Sequence, residues 1–209
     1  MMQQKTNPTP SGNMPANTSS SAYLVHPKYF LRDKFKYPAG IRLAVNFTID
    51  FDTMLNRRLK NEPAMELSQG EFGGRVGIWR LMDLCDQYDV KLTIFTPGRI
   101  CELYPESLKE AARRGHEVAN HMWEHRIPSD IELEKDHLSR TTSAIEKVCG
   151  NKPVGTRSGH KLSLLRDAGY IYTSNNTADD FPYYVVDDEG KSCLLNLPFH
   201  YVMDDAMYF

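Results

Sequence analysis

Short apolar runs alternate with longer stretches of helical periodicity along most of this chain. The apolar runs predict strands over residues 41–48, 91–96, 117–119, 154–156, 170–173, 192–197 and 199–203. Apolar residues recur at helical spacing over residues 75–88, 104–114, 131–148 and 162–168. Strands separated by helices of this length predict an α/β fold, with a parallel sheet or a (β/α) barrel.

Residues typical of helix ends support this division. Ser129 and Asp130 can cap the helix that follows them, because a side-chain oxygen there accepts hydrogen bonds from free backbone amides. Gly150 is predicted to end the same helix. The glycine-rich residues 73–77 lack the spacing of a nucleotide-binding loop, so we predict a plain loop that enters a helix at Arg75.

The first 22 residues are rich in Asn, Ser, Thr and Pro. Such a segment buries too little apolar surface to offset the entropy of ordering it, which predicts a disordered arm over residues 1–22. The single folded domain is expected over residues 23–209. The start of the chain lacks the apolar core of a secretory signal, and no run of about 18 apolar residues predicts a membrane span.

Charge and cysteine content narrow the classes of function. The formal net charge is −2 and no block of Lys or Arg is present, which argues against nucleic acid or an anionic membrane as the main partner. Cys85, Cys101, Cys149 and Cys193 are far apart and form no C-x-x-C pair, so neither a disulfide framework nor a four-thiol zinc site is expected. This cysteine usage predicts a reducing, cytoplasmic location.

Polar side chains follow several of the predicted strands, where α/β proteins gather their functional groups. They are Asp50 and Asp52 after the first strand, His121 and His125 after a later strand, Arg157 after another, and Asp180 after the next.

The two short motifs among them suggest a metal site. On a turn of helix, His121 and His125 would lie on one face and could bind one ion, although two unrelated histidines give the same pattern. In an extended backbone Asp50 and Asp52 point the same way, with Phe51 directed into the core. One carboxylate could then bind metal while the other acts as a base; the alternative is a capping or turn pair.

Seven short sequence motifs follow one another along residues 45–209. They are VNFTIDFD (45–52), GEFGGRVGIWRLMDL (70–84), KLTIFTPG (91–98), GHEVANHMWEHR (115–126), PVGTRSGH (153–160), DDFPY (179–183) and LPFHYVMDDAMYF (197–209). In this order they resemble the polysaccharide deacetylase (NodB-homology) family. The resemblance is greater to its intracellular branch, which includes peptidoglycan deacetylase-like and allantoinase-like proteins.

The resemblance implies a deformed (β/α)₇-type barrel and a set of residue roles. Asp50 would be the general base, Asp52, His121 and His125 the metal ligands, Arg157 the residue that holds Asp50, and Asp180 a residue that orients polar groups. A site of two imidazoles and one carboxylate suits zinc, although other divalent ions can bind it.

The sequence departs from the family pattern near its end. The family supplies a late histidine, in a Leu-His-Pro type segment, as general acid, and no such segment is present here. His200 is the late histidine that could replace it, or it could be a histidine packed in an apolar strand. The chain also stops at Phe209, earlier than a typical member, which predicts a barrel that is incomplete at the C-terminus.

The expected reaction is hydrolysis of a non-peptide C–N amide bond, most simply removal of acetyl from an N-acetylated amino sugar. One alternative is an allantoinase-like hydrolase that opens a small cyclic amide. Another is a non-catalytic paralogue that binds metal or glycan. The sequence leaves a homo-oligomer open.

A peptidase is the remaining alternative, because His121, Glu124 and His125 match the H-x-x-E-H motif of inverted zincins. That motif requires a long helix. Here Pro128 follows within three residues of His125, and the residues before His121 have the pattern of a strand.

Overall fold

A computed structural model describes residues 30–31, 34–187 and 193–208, and within them eight strands form one sheet. The predicted arm at 1–22 and the predicted domain start at residue 23 lie outside the described residues. The strands are β1 Phe30–Leu31, β2 Phe47–Asp50, β3 Leu92–Thr96, β4 Glu117–Asn120, β5 Gly155–Thr156, β6 Tyr172–Thr173, β7 Tyr183–Val186 and β8 Cys193–Asn196.

Helices connect most of these strands. They are α1 Leu55–Leu59, α2 Ala64–Phe72, α3 Ile78–Gln87, α4 Gly98–Leu103, α5 Pro105–Arg113, α6 Ile131–Cys149 and α7 Leu162–Asp167. A π-helical turn, Gly73–Gly77, joins α2 to α3, and two 3₁₀ turns, Tyr201–Met203 and Asp205–Met207, follow β8.

The sheet is mostly parallel and open. Its strand order is β1-β7-β8-β6-β5-β4-β3-β2. Five neighbouring pairs are parallel: β2 with β3, β3 with β4, β4 with β5, β5 with β6, and β6 with β8. The pairs of β7 with β8 and with β1 are antiparallel. The predicted α/β class is therefore confirmed. Among the described strands, β1 and β2 are the two edges and do not pair with each other, so the sheet is not a closed barrel.

The long helix α6 shows why the local predictions were accurate. Asp130 accepts a hydrogen bond from the Leu133 amide at 2.9 Å, as expected for an N-cap. Gly150 has φ of +83° and ends the helix in the left-handed conformation that glycine adopts without strain. Between these signals, Leu138, Thr141 and Ile145 face the core.

Three local predictions were wrong. Strand β2 covers only Phe47–Asp50, because the side chains at 41–46 are exposed and this stretch pairs with no described strand. Residues 199–203 form a 3₁₀ turn at their end rather than a strand. The predicted loop at 73–77 is π-helix, in which Gly74 lies so close to the ring of Tyr104 that an added Cβ would be 2.5 Å from Cε1.

The core lies between the strands and the helices that flank them. All five residues of β3 are buried, which is typical of a central parallel strand covered on both faces. Helix α4, which the sequence pattern did not predict, packs on α6 close enough that a Cβ at Gly98 would be 2.9 Å from the Cα of Thr141. None of the helices in the described ranges combines the length and the apolar character needed to cross a bilayer.

A buried carboxylate joins α6 to the segment that leads into α7. Glu134 is 2% exposed, and its Oε1 accepts hydrogen bonds from the Lys161 amide at 2.8 Å and from Nδ1 of His160 at 3.2 Å. Burial lowers the pKa of His160, an effect that Glu134 partly opposes. Glu134 therefore anchors His160 and Lys161, in the segment between Arg157 and α7.

We expect Glu134→Ala to lower the free energy of unfolding by about 2–4 kcal/mol, because it leaves the buried imidazole of His160 and the part-buried amide of Lys161 without their acceptor. Glu134→Gln retains one amide oxygen and is expected to cost less than half as much. Urea unfolding measures both changes. Glu132→Ala, on the exposed side of the same helix, is the matched control and is expected to change the stability by less than about 0.5 kcal/mol. A similar loss from both alanine variants would show that Glu134 is no anchor.

Candidate metal centre

The carboxyl ends of β2, β4 and β5 bring four predicted site residues to one edge of the sheet. Asp50 is the last residue of β2, and Asp52 follows two positions later. His121 comes directly after β4, and Arg157 directly after β5. Phe51, between the two aspartates, is 4% exposed and belongs to the core, as its alternation with them predicted.

The segment that carries both histidines is a turn, not the predicted turn of helix. Met122 and His125 have φ of +69° and +58°, the left-handed region that a continuous helix excludes. The buried side chain of Asn120 holds the turn, since its Oδ1 accepts from the Met122 amide at 2.7 Å. Its Nδ2 donates to the hydroxyl of Tyr170 at 2.7 Å. Spacing alone could not reveal this conformation.

Helix α4 supports the turn from the other side. The amides of Gly98 and Arg99 donate to the carbonyls of Met122 and Trp123 at 2.9 and 3.0 Å. The indole of Trp123 packs against two guanidinium groups, with Cζ of Arg140 at 4.1 Å and Cζ of Arg99 at 5.1 Å from the ring centroid. A Cβ at Gly98 would be 2.5 Å from that indole, so glycine is needed for this close approach. These supporting residues were not predicted from the sequence.

Three side chains converge in the way that the sequence predicted for a metal site. Nε2 of His125 is 3.0 Å from Oδ2 of Asp52, and Nε2 of His121 is 3.6 Å from Oδ1 of Asp52. One ligand atom from each residue lies within 4.8 Å of the other two. Zinc bonds of about 2.0–2.2 Å place tetrahedral ligand atoms about 3.3 Å apart. The separations therefore fit one ion.

The donor groups also have the chemistry of a metal site. Oδ1 of Asp52 is buried and has no hydrogen-bond partner within the described part of the chain. Nδ1 of His121 forms a hydrogen bond with the backbone carbonyl of Arg157, which fixes the ring and leaves Nε2 facing the aspartates. The hydrogen bond to Asp52 raises the pKa of His125, while burial opposes this increase. A proton therefore competes with a metal for His125 more strongly than for an ordinary histidine.

Asp50 is next to these three residues but is held by Arg157. Nη1 of Arg157 donates to Oδ1 of Asp50 at 2.7 Å, and the other carboxylate oxygen is 3.9 Å from Nε2 of His121. Nη2 of Arg157 also donates to the hydroxyls of Thr48 and Ser174, at 3.2 and 3.0 Å. One oxygen of Asp50 is thus fixed, and the other faces the ligand cluster.

The other two predicted residues, Asp180 and His200, are paired with each other. Nε2 of His200 is 2.9 Å from Oδ1 of Asp180, whose side chain is 86% exposed. Neither belongs to a group of three potential ligands in the described ranges. Glu124 would be the general base if the protein were a peptidase. Instead, its carboxylate forms an ion pair with Arg99 at 2.6 Å.

Comparisons with known proteins agree with this geometry. Residues 72–171 match the sequence profile described as polysaccharide deacetylase. A peptidoglycan deacetylase of Helicobacter pylori is 33% identical over 129 residues, which are 57% of this chain and 44% of that protein. Over residues 72–171 the chain is therefore similar to the polysaccharide deacetylase family. The matched profile includes the histidine turn and Arg157, whereas Asp50 and Asp52 precede it.

Other relatives extend the similarity. A peptidoglycan deacetylase-like protein of Gibberella zeae is 28% identical over 160 residues, covering 70% of this chain and 47% of that protein. The chain spans about half the length of these two curated polysaccharide deacetylase relatives.

Solved structures show the same fold. A crystal structure from Mycobacterium smegmatis, assigned to the polysaccharide deacetylases, aligns with a TM-score of 0.73 and 33% identity, over 82% of this chain and 63% of that one. The structure of Puue allantoinase aligns with a TM-score of 0.69 over 78% of this chain and 64% of that one. At 20% sequence identity, this structural similarity shows a shared fold only and carries no information about the substrate. The polysaccharide deacetylase fold thus accounts for most of the described sheet.

Proposed function

We propose that this protein is a zinc-dependent deacetylase that removes acetyl groups from N-acetylated amino sugars. The observation that carries the proposal is the convergence of Asp52, His121 and His125 beside a carboxylate, Asp50, that is held by a buried arginine. The deacetylases among its relatives support an acetylated glycan as the substrate. Cys85, Cys101 and Cys149 are free thiols in the part of the chain that the structure describes, and free thiols are compatible with the predicted cytoplasmic location.

Asp52, His121 and His125 would hold the zinc ion and leave part of its coordination sphere open for water and substrate. The ion would lower the pKa of water and polarise the amide carbonyl. Two neutral imidazoles and one carboxylate leave the bound ion with net positive charge, which both effects require. The backbone carbonyl of Arg157 would keep His121 oriented throughout.

Asp50 would act as the general base. Its Oδ2 faces the ligand cluster and can accept the proton of an attacking water, while Arg157 keeps Oδ1 in place. A fixed base spends little free energy on reorientation during the reaction.

The leaving amine requires a proton donor. His200, whose Nε2 lies 2.9 Å from Oδ1 of Asp180, is our candidate for this general acid. His200→Gln tests this role, and we expect it to slow release of the amine. An unchanged rate would exclude His200 as the general acid.

The test is acetate release from an N-acetylated chito-oligosaccharide by the full chain loaded with zinc. Metal content is measured on the same sample. We expect acetate release that chelation abolishes and zinc restores. Ring opening of allantoin without acetate release would instead favour a cyclic amide hydrolase. Stoichiometric zinc binding with neither reaction would favour a non-catalytic binding protein.

A further inference from the structure

The guanidinium group of Arg157 is almost completely occupied along its edge. Nε donates to the carbonyl of Ser174 at 3.1 Å, Nη2 to the hydroxyls of Ser174 and Thr48, and Nη1 to Asp50. Four of the five N–H groups of an arginine can be satisfied by these four acceptors. Arg157 therefore has little capacity left to bind a substrate, and its main contact toward the site is Asp50.

Two aromatic rings pack against the same guanidinium, whose edge is taken up by hydrogen bonds. Cζ of Arg157 is 4.2 Å from the ring centroid of Phe95 and 4.4 Å from that of Phe199. Phe95 is fully buried in β3, so it forms a rigid lower surface. Phe199 comes from the segment after β8, and its ring forms the upper surface. Cation–π contacts with desolvated rings are strong compared with those at exposed sites.

The two surfaces differ in how they are built. Phe95 is part of a central strand that the core fixes regardless of the site. Phe199 is only partly buried and lies in a segment without regular structure. That segment is tied to the sheet through the Leu197 amide, which donates to the carbonyl of Thr173 at 2.8 Å. Phe199 also contacts Tyr201 edge-on, with ring centroids 5.4 Å apart.

We propose that Phe199 is a positioning residue for the catalytic base: by closing the open face of Arg157, it fixes the hydrogen bond from Arg157 to Asp50. This inference rests on the proposed function of Asp50. Without the upper ring, water can reach that face, and the guanidinium can tilt out of the plane in which it meets Oδ1. Asp50 would then lose its orientation although it keeps its charge.

The physical contact is tested by NMR, independently of any activity. Protons above and below an aromatic ring are shifted upfield, so the Nε–H resonance of Arg157 is expected at unusually high field. Arg157→Lys identifies that resonance by removing it. We expect Phe199→Leu, which retains an apolar side chain, to move the resonance downfield, and Phe199→Tyr to leave it near its original position. A resonance that stays in place in Phe199→Leu would overturn the proposal.

The consequence for catalysis is tested on the same zinc-loaded variants. We expect Phe199→Leu to lower kcat for acetate release by about 10–100-fold, with KM, zinc affinity and thermal stability close to those of the parent protein. Phe199→Tyr is expected to recover most of the parent kcat. An unchanged kcat in Phe199→Leu, or a loss that follows the loss of zinc, would overturn the positioning role. If the parent protein released no acetate, the proposed function would fail, whereas the NMR result would still decide whether the contact exists.

Discussion

Replacing Asp52 with asparagine is expected to weaken zinc binding by more than about 100-fold. Loss of a residue that only hydrogen-bonds to a metal ligand weakens binding by about 10–100-fold, and loss of a charged ligand should cost more. Asp52 supplies the single negative charge among the three proposed ligands, and its carboxylate oxygens lie 3.0 and 3.6 Å from Nε2 of His125 and His121. The asparagine amide has a similar shape but no charge. Acetate release is expected to fall with zinc occupancy. Competition with a fluorescent chelator measures the affinity.

Glu124→Gln is the matched control for this loss. It also neutralises one carboxylate, in the histidine turn itself, but Glu124 binds Arg99 and not the ligand cluster. We expect the control to bind zinc as the parent protein does. The opposite result, with zinc lost in Glu124→Gln and kept in Asp52→Asn, would contradict the ligand assignment.

Replacing Asp50 with asparagine is expected to lower kcat for acetate release by about 10²–10⁴-fold, the usual contribution of general-base catalysis. The amide oxygen can still accept the hydrogen bond from Nη1 of Arg157, so the geometry is preserved. It cannot accept the proton from water. Steady-state kinetics on zinc-saturated protein measure the loss.

The two aspartate variants control for each other because they differ in what they lose. Asp52→Asn should lose both zinc and activity, and excess zinc should restore part of the activity. Asp50→Asn should keep zinc with nearly unchanged affinity, and no zinc concentration should restore its kcat. If Asp50→Asn retained the parent rate, the base would have to be another group.

The sequence predicted the elements whose signals are local. The buried strand at 91–96 and the helix at 131–148 were found to within one residue because apolar periodicity, a capping aspartate and a terminal glycine act over a few positions. The D-x-D and H-x-x-x-H motifs located the residues of the proposed ligand cluster for a similar reason. Residues that follow parallel strands meet at one edge, whatever the detailed packing.

The tertiary structure decided how those residues are held. Asp50 and Arg157 are 107 positions apart, so no local pattern could show that one donates to the other. The turn at 121–125 depends on left-handed residues that Asn120 and the amides of α4 stabilise from outside. Residues Gly73–Gly77 are helical despite the low helix propensity of glycine. The close contact of Gly74 with the ring of Tyr104, which leaves no room for a Cβ, explains why glycine is present there. Periodicity and capping are short-range, whereas close packing and the orientation of a base are set by contacts between distant segments, which only the folded chain brings together.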